Sequence, residues 1–170
     1  MKKLLLIISI PLMFCCSGLL AQDLGAYYTS NANAKTNGLT FKINKPLGYK
    51  QFQGEIETTI VGFSNNKIGG VISEFYISIY SLKEMELDDF KNMSKNEIKD
   101  IFLSNNMKYY ELCGYPGWIV EESIVGATSL QSFTIIHGSL FVFKLTSLSK
   151  TILHKEKELF YKMSNTLKFI

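Results

Sequence analysis

Leu130-Gln-Ser-Phe-Thr-Ile-Ile-His137, Gly138-Ser139 and Leu140-Phe-Val-Phe-Lys-Leu-Thr-Ser147 follow one another late in the chain. Two runs rich in β-branched and aromatic residues, joined by a two-residue Gly-Ser connection, predict a β-hairpin. In the second run Phe141, Phe143 and Leu145 share one face, while Val142, Lys144 and Thr146 share the other. Alternation with period two marks a strand with one face on a core.

The same signal recurs upstream. Leu39, Phe41 and Ile43 alternate with Thr40 and Lys42, and Pro46 and Gly48 close that strand. Ile56 to Phe63 and Val71 to Leu82 flank a turn-rich Ser64–Gly70 segment and read as a second hairpin. Phe75, Ile77 and Ile79 are expected on a core. Glu74, Tyr76, Ser78 and Tyr80 form the opposite face. Lys108–Leu112 and Trp118–Val125 flank a Cys113-Gly-Tyr-Pro-Gly117 turn.

Two segments change period. Ser94-Lys-Asn-Glu97 is a capping box, and Ile98, Ile101 and Phe102 continue at helical spacing, so a helix is expected over 95–105. A short helical turn is expected near Leu87–Asn92. Ile152, Leu153, Leu159, Phe160, Met163 and Leu167 line one face of a helix over 151–166, with Glu158 and Lys162 paired at i,i+4. Phe169 and Ile170 add a short last strand. The order strands, helix, strands, helix, with short links, predicts an α+β fold: a mostly antiparallel β-sheet flanked by helices.

Leu39-Thr-Phe-Lys-Ile-Asn-Lys-Pro-Leu-Gly-Tyr49 resembles the opening strand and Pro-x-Gly-aromatic turn of PsbP-like and DcrB-like domains. Gly114-Tyr-Pro-Gly-Trp118, and the terminal helix ending in Met163-Ser-Asn-Thr-Leu-Lys-Phe169, resemble the same group. The resemblance spans roughly residues 38–170. It implies a sheet between helices and a mostly non-catalytic exported or scaffolding role in binding other proteins. It carries over no catalytic, cofactor or metal-binding residue.

The N-terminus has Lys2 and Lys3, an uncharged apolar run from Leu4 to Cys16, and Ala21 before Gln22. This is the grammar of a secretory signal peptide cleaved near Ala21-Gln22. Residues 1–21 are read as that leader, 22–37 as a flexible lead-in and 38–170 as a single α+β domain. The chain is thus expected to be periplasmic or secreted. Membrane contact is expected only if the leader is retained or Cys15 or Cys16 is lipidated; neither Cys follows a small residue. The Ala-Gln leader ending and the Arg-free, Asn- and Lys-rich composition resemble exported proteins of low-GC Bacteroidota.

The full chain of 170 residues carries 18 Lys and 15 acids, for a net charge of +3. Loss of the leader removes Lys2, Lys3 and two of the three Cys, leaving a nearly neutral domain with Cys113 as its one thiol. An internal disulfide is then excluded. Near-neutrality and the lack of Arg disfavour nucleic acid.

The chemical candidates are few. Cys113 has no catalytic signature around it and reads as a small buried residue beside a turn. His137 shares the parity of Phe133 and Ile135 and is the base of a conceivable hydrolase dyad with Glu121 or Glu122. His154 reads as a solvated helix residue. These spacings match no zinc site. The acidic Glu84–Asp100 segment lacks the glycine of a calcium loop, and Gly69-Gly70 is no phosphate loop. Tyr115, Pro116 and Trp118, and the Tyr76–Tyr80 face, are candidate contact surfaces, with Trp118 expected in the core. The sequence therefore predicts an exported non-enzymatic domain, without cofactor, that binds or supports another protein at the bacterial cell envelope. A small-ligand or lipid carrier is the alternative; a hydrolase ranks below both.

Overall fold

The computed structural model describes residues 24–54, 58–67, 70–81, 107–124 and 126–170. The strand pairs among them are antiparallel and form two sheets. The smaller comprises β1 (Leu24–Thr29), β2 (Phe41–Pro46) and β10 (Lys168–Phe169), with β2 in the middle. The larger has the order β3-β4-β5-β9-β8-β7-β6. Its strands are β3 (Lys50–Phe52), β4 (Thr59–Lys67), β5 (Gly70–Ser81), β6 (Lys108–Tyr109), β7 (Gly117–Ile124), β8 (Ala127–Ile136) and β9 (Ser139–Ser147). One helix, α1 (Lys150–Thr166), lies among the described residues.

The core sits between the larger sheet on one side and α1 with the small sheet on the other. Alternation puts Phe75, Ile77 and Ile79 of β5, and Phe141, Phe143 and Leu145 of β9, into this layer, all buried as expected. Phe143 stacks on Phe160 of α1 at 4.5 Å between centroids, and Phe141 meets Phe41 of β2 edge-on at 5.3 Å. Burying each such ring stabilises the fold by roughly 2–3 kcal/mol. Met107, Val120, Phe133 and Ile135 form a second cluster, with Trp118, Leu140 and Val142 against it. Phe133 and Ile135 alternate with inward Ser132 and Thr134, so this cluster lies on the opposite face of the sheet.

The helix starts where Ser149 takes up an extended backbone and its hydroxyl accepts from the Ile152 N–H. Leu153, Phe160 and Met163 are its buried stripe, and Leu167, already extended, hands the chain to β10. The Glu158–Lys162 pair forms at 3.2 Å.

Several expectations are corrected. The lead-in over 22–37 contains β1, which pairs with β2 across a bulge at its start. The weak local signal of Leu-Gly-Ala-Tyr-Tyr-Thr is overridden by that pairing. The opening strand runs from Phe41 to Pro46 rather than from Leu39 to Ile43, although Leu39, Phe41 and Ile43 are all buried. Of the strand expected over Ile56–Phe63, Ile56 and Glu57 lie outside the described residues; β4 runs from Thr59, and its pairing with β5 persists through Lys67↔Gly70, so Ser64–Lys67 are strand rather than turn. The Lys108–Leu112 strand shortens to two residues plus a Leu112–Tyr115 bridge.

The late hairpin turns at His137-Gly138, one residue before the expected Gly138-Ser139, with Ile136 opposite Ser139. Both turn residues have positive φ, at 48° and 70°, as a type I′ turn requires. The expected helix over 95–105, the turn over 87–92, the acidic segment and the leader lie outside the described residues.

Candidate functional site

β2 ends in Pro46-Leu47-Gly48-Tyr49, the turn that carries the chain from the small sheet to the edge of the large one. The Tyr49 N–H donates to the Pro46 carbonyl at 3.3 Å, and Gly48 has φ 79°. Glycine adopts that left-handed position without steric cost. The turn pushes Leu47 into solvent, where 64% of it is exposed, and points Tyr49 inward against Phe75.

The Tyr49 hydroxyl is the hub of a polar cluster. It donates to Glu156 Oε2 of α1 at 2.7 Å, lies 3.0 Å from Ser73 Oγ of β5 and accepts from Asn65 Nδ2 of β4 at 3.5 Å. Burial, opposed by the Ser73 bond and reinforced by the Glu156 carboxylate, pushes its pKa up to about 12. The phenol is therefore a neutral donor at physiological pH, committed to holding the turn on the helix.

Between this turn and α1 lies an open groove of about 280 Å³. Leu47 and Tyr49 form one wall, and Lys155, Glu156, Glu158, Leu159 and Lys162 the other. Glu156 is engaged by Tyr49 and Glu158 by Lys162. Among the described residues Lys155 has no ion-pair partner, so the groove presents a free cation beside two aliphatic side chains. On another side of α1, Lys157 reaches Glu121 of β7 at 2.9 Å and pins the helix to the sheet. The groove offers an apolar lip, two engaged carboxylates and the Lys155 ammonium, an arrangement suited to holding a ligand surface.

The sequence-derived candidates do not converge here. His137 is exposed in its turn, while Glu121 faces Leu130 and Glu122 faces Ser129 across the β7–β8 pair. That places the carboxylates about 20 Å or more along β8 from the imidazole, at about 3.3 Å per residue. Glu121 binds Lys157 and Glu122 accepts from Gln131, so the hydrolase dyad does not form.

Cys113 occupies a tight turn at φ 59°, partly buried, and its thiol donates to the Leu167 carbonyl. Burial raises its pKa, opposite to what a nucleophile needs. His154 is exposed on α1. Among the described residues no group of His, Cys, Asp and Glu side chains is placed to hold a metal ion, and no helix is long and apolar enough to cross a membrane.

Trp118 stacks on Phe133 and is partly buried, and Tyr115 packs edge-on to Phe169. Tyr76 is half-buried between Phe52 and Glu74, while Tyr80 is 41% exposed. Tyr49 was visible in sequence only as the aromatic of a turn motif. Glu156 carried no signal beyond lying off the apolar stripe of its helix.

No family model matches the chain, and no curated protein matches it. Among solved structures it is similar to cyanobacterial PsbP (CyanoP) from Synechocystis, with 16% identity over 93% of this chain and 99% of that one, at a TM-score of 0.55. It is also similar to a crystal structure from Bacteroides thetaiotaomicron, with 18% identity and a TM-score of 0.58. That match covers 85% of this chain and 48% of the other, so this chain spans about half its length. At such identities the likeness shows the fold alone: an antiparallel α+β sandwich that resembles PsbP.

Proposed function

We propose that this chain is an exported, non-enzymatic domain that binds or supports another protein at the bacterial cell envelope. The observation that carries this reading is the groove beside the Pro46–Tyr49 turn. Exposed Leu47, on a turn held to α1 by Tyr49, stands beside Lys155, which has no ion-pair partner among the described residues, so the groove offers an apolar contact with a cation next to it. The leader-like residues 1–21 support export. Separation of His137 from Glu121 and Glu122, and the raised thiol of Cys113, support a non-catalytic role. The stacked rings of Phe143 and Phe160 fill the space between sheet and helix where a carrier would hold its ligand, which supports a binding module over a carrier.

The test places a photo-crosslinking residue at Leu47 in the native host. A discrete product is expected, and Lys155→Glu should abolish it. A folded protein that gives no product, or a product indifferent to Lys155→Glu, sinks the reading. N-terminal sequencing of the exported chain checks cleavage near Ala21-Gln22.

A further inference from the structure

We propose that the outward face of the three-stranded sheet docks onto an anionic lipid surface. Residues directly opposite one another in a sheet share a face. Thr29, Lys42 and Lys168 form one such row across β1, β2 and β10, and Tyr27 lies beside Asn44 in the next. Their neighbours Tyr28, Phe41, Ile43 and Phe169 turn into the core, so this row faces solvent.

Three features of the face point to lipid. First, its charge has one sign. The residues on its rows, Tyr27, Thr29, Lys42, Asn44 and Lys168, include two lysines and no carboxylate side chain. Second, the charge is coupled to an amphipathic ring. Lys42 Nζ sits 5.4 Å from the centroid of Tyr27, which is 52% exposed. Tyrosine and lysine together are the pair that settles at headgroup depth, the ring in the boundary and the ammonium towards phosphate.

Third, the two ends of β2 carry exposed aliphatic residues. Ile170 is 73% exposed, with its N–H on the Thr40 carbonyl, and Leu47 is 64% exposed beyond Pro46. Shallow insertion of such residues adds apolar burial to headgroup attraction. An acidic protein patch would match the lysines equally well, but exposed Leu47 and Ile170 add aliphatic side chains that a lipid boundary takes up.

Leu47 is shared with the protein contact proposed above, whereas Tyr27, Lys42 and Lys168 are not, so variants of those lysines test the lipid surface separately from that contact. Vesicles of phosphatidylcholine, with or without phosphatidylglycerol, are mixed with the chain isolated from the envelope after export and sedimented. Binding is expected only with phosphatidylglycerol, weakening as salt is raised. The Lys42→Glu/Lys168→Glu variant should bind at least about tenfold more weakly. Lys108→Glu/Lys150→Glu, the same charge change elsewhere, should bind as the parent does. Circular dichroism and thermal melting confirm that each variant folds. Equal binding to both vesicle types, equal weakening by both double variants, or binding to soluble polyglutamate but to neither vesicle overturns the proposal.

Discussion

Tyr49 and Glu156, 107 positions apart in the chain, meet through a 2.7 Å hydrogen bond that fastens the β2–β3 turn to α1. Through its hydroxyl the phenol hydrogen-bonds to two strands of the large sheet and to the helix at once. Replacing it by Phe keeps the ring on Phe75 and removes all three polar contacts. Tyr49→Phe is expected to cost about 1–2 kcal/mol, read as a lower urea midpoint. An unchanged midpoint would mean that water replaces the hydroxyl without loss.

The same group sets a pH dependence. Its pKa is about 12 in the folded chain against 10.0 for an ordinary tyrosine. Below pH 10 both states hold the proton. Between pH 10 and 12 the unfolded chain releases it while the folded chain keeps it, so stability falls across that window. Thermal melting of the parent should decline more steeply there than that of Tyr49→Phe. Parallel declines would remove Tyr49 from the account.

Ser132 is fully buried between Ile119 and Phe143, and its hydroxyl has no hydrogen-bond partner among the described residues. A buried, unsatisfied hydroxyl costs about 1–3 kcal/mol. Ser132→Ala should therefore leave stability unchanged or raise it by up to about 1 kcal/mol. Chemical denaturation checks this; a clear loss would reveal a partner for the hydroxyl.

Gly117 was legible as a turn residue, but its geometry gives it a different duty. A Cβ there would lie 2.3 Å from the Phe133 carbonyl and 3.1 Å from that of Tyr110. Both are backbone atoms, which cannot swing aside as a side chain would. Gly117→Ala should cost about 3 kcal/mol or more by forcing β7 from its neighbours. A melting temperature near the parent's would contradict the close approach.

His137 opens a type I′ turn at φ 48°, a conformation that asparagine tolerates far better. His137→Asn should raise stability by up to about 1 kcal/mol, measured by thermal melting. A loss would show that the imidazole makes a contact worth more than the relieved strain.

The parts of the fold legible in sequence were those whose signal is local. Phe75, Ile77 and Ile79, and Phe141, Phe143 and Leu145, alternate because each strand has one buried face. Leu153, Phe160 and Met163 repeat at helical spacing for the same reason. β1 was illegible because its stability comes from β2 rather than from Gly25 and Ala26, which favour no strand. The one-residue slip at His137-Gly138 arose because a histidine at positive φ is uncommon and the Gly-Ser pair beside it is a good turn in its own right. The Tyr49–Glu156 contact joins residues that periodicity cannot relate. The His137 dyad failed because parity along a strand tells which face a side chain takes, and nothing about how far along the ladder it stands.

The middle strand of the small sheet has its two partners at opposite ends of the domain. β1 precedes it, while Lys168 and Phe169 come to rest against Lys42 and Phe41. β1 flanks β2 from nearby in the chain, whereas its other flank is filled by residues far along it, so clipping residues 168–170 leaves β2 with one neighbour and bares a strand edge.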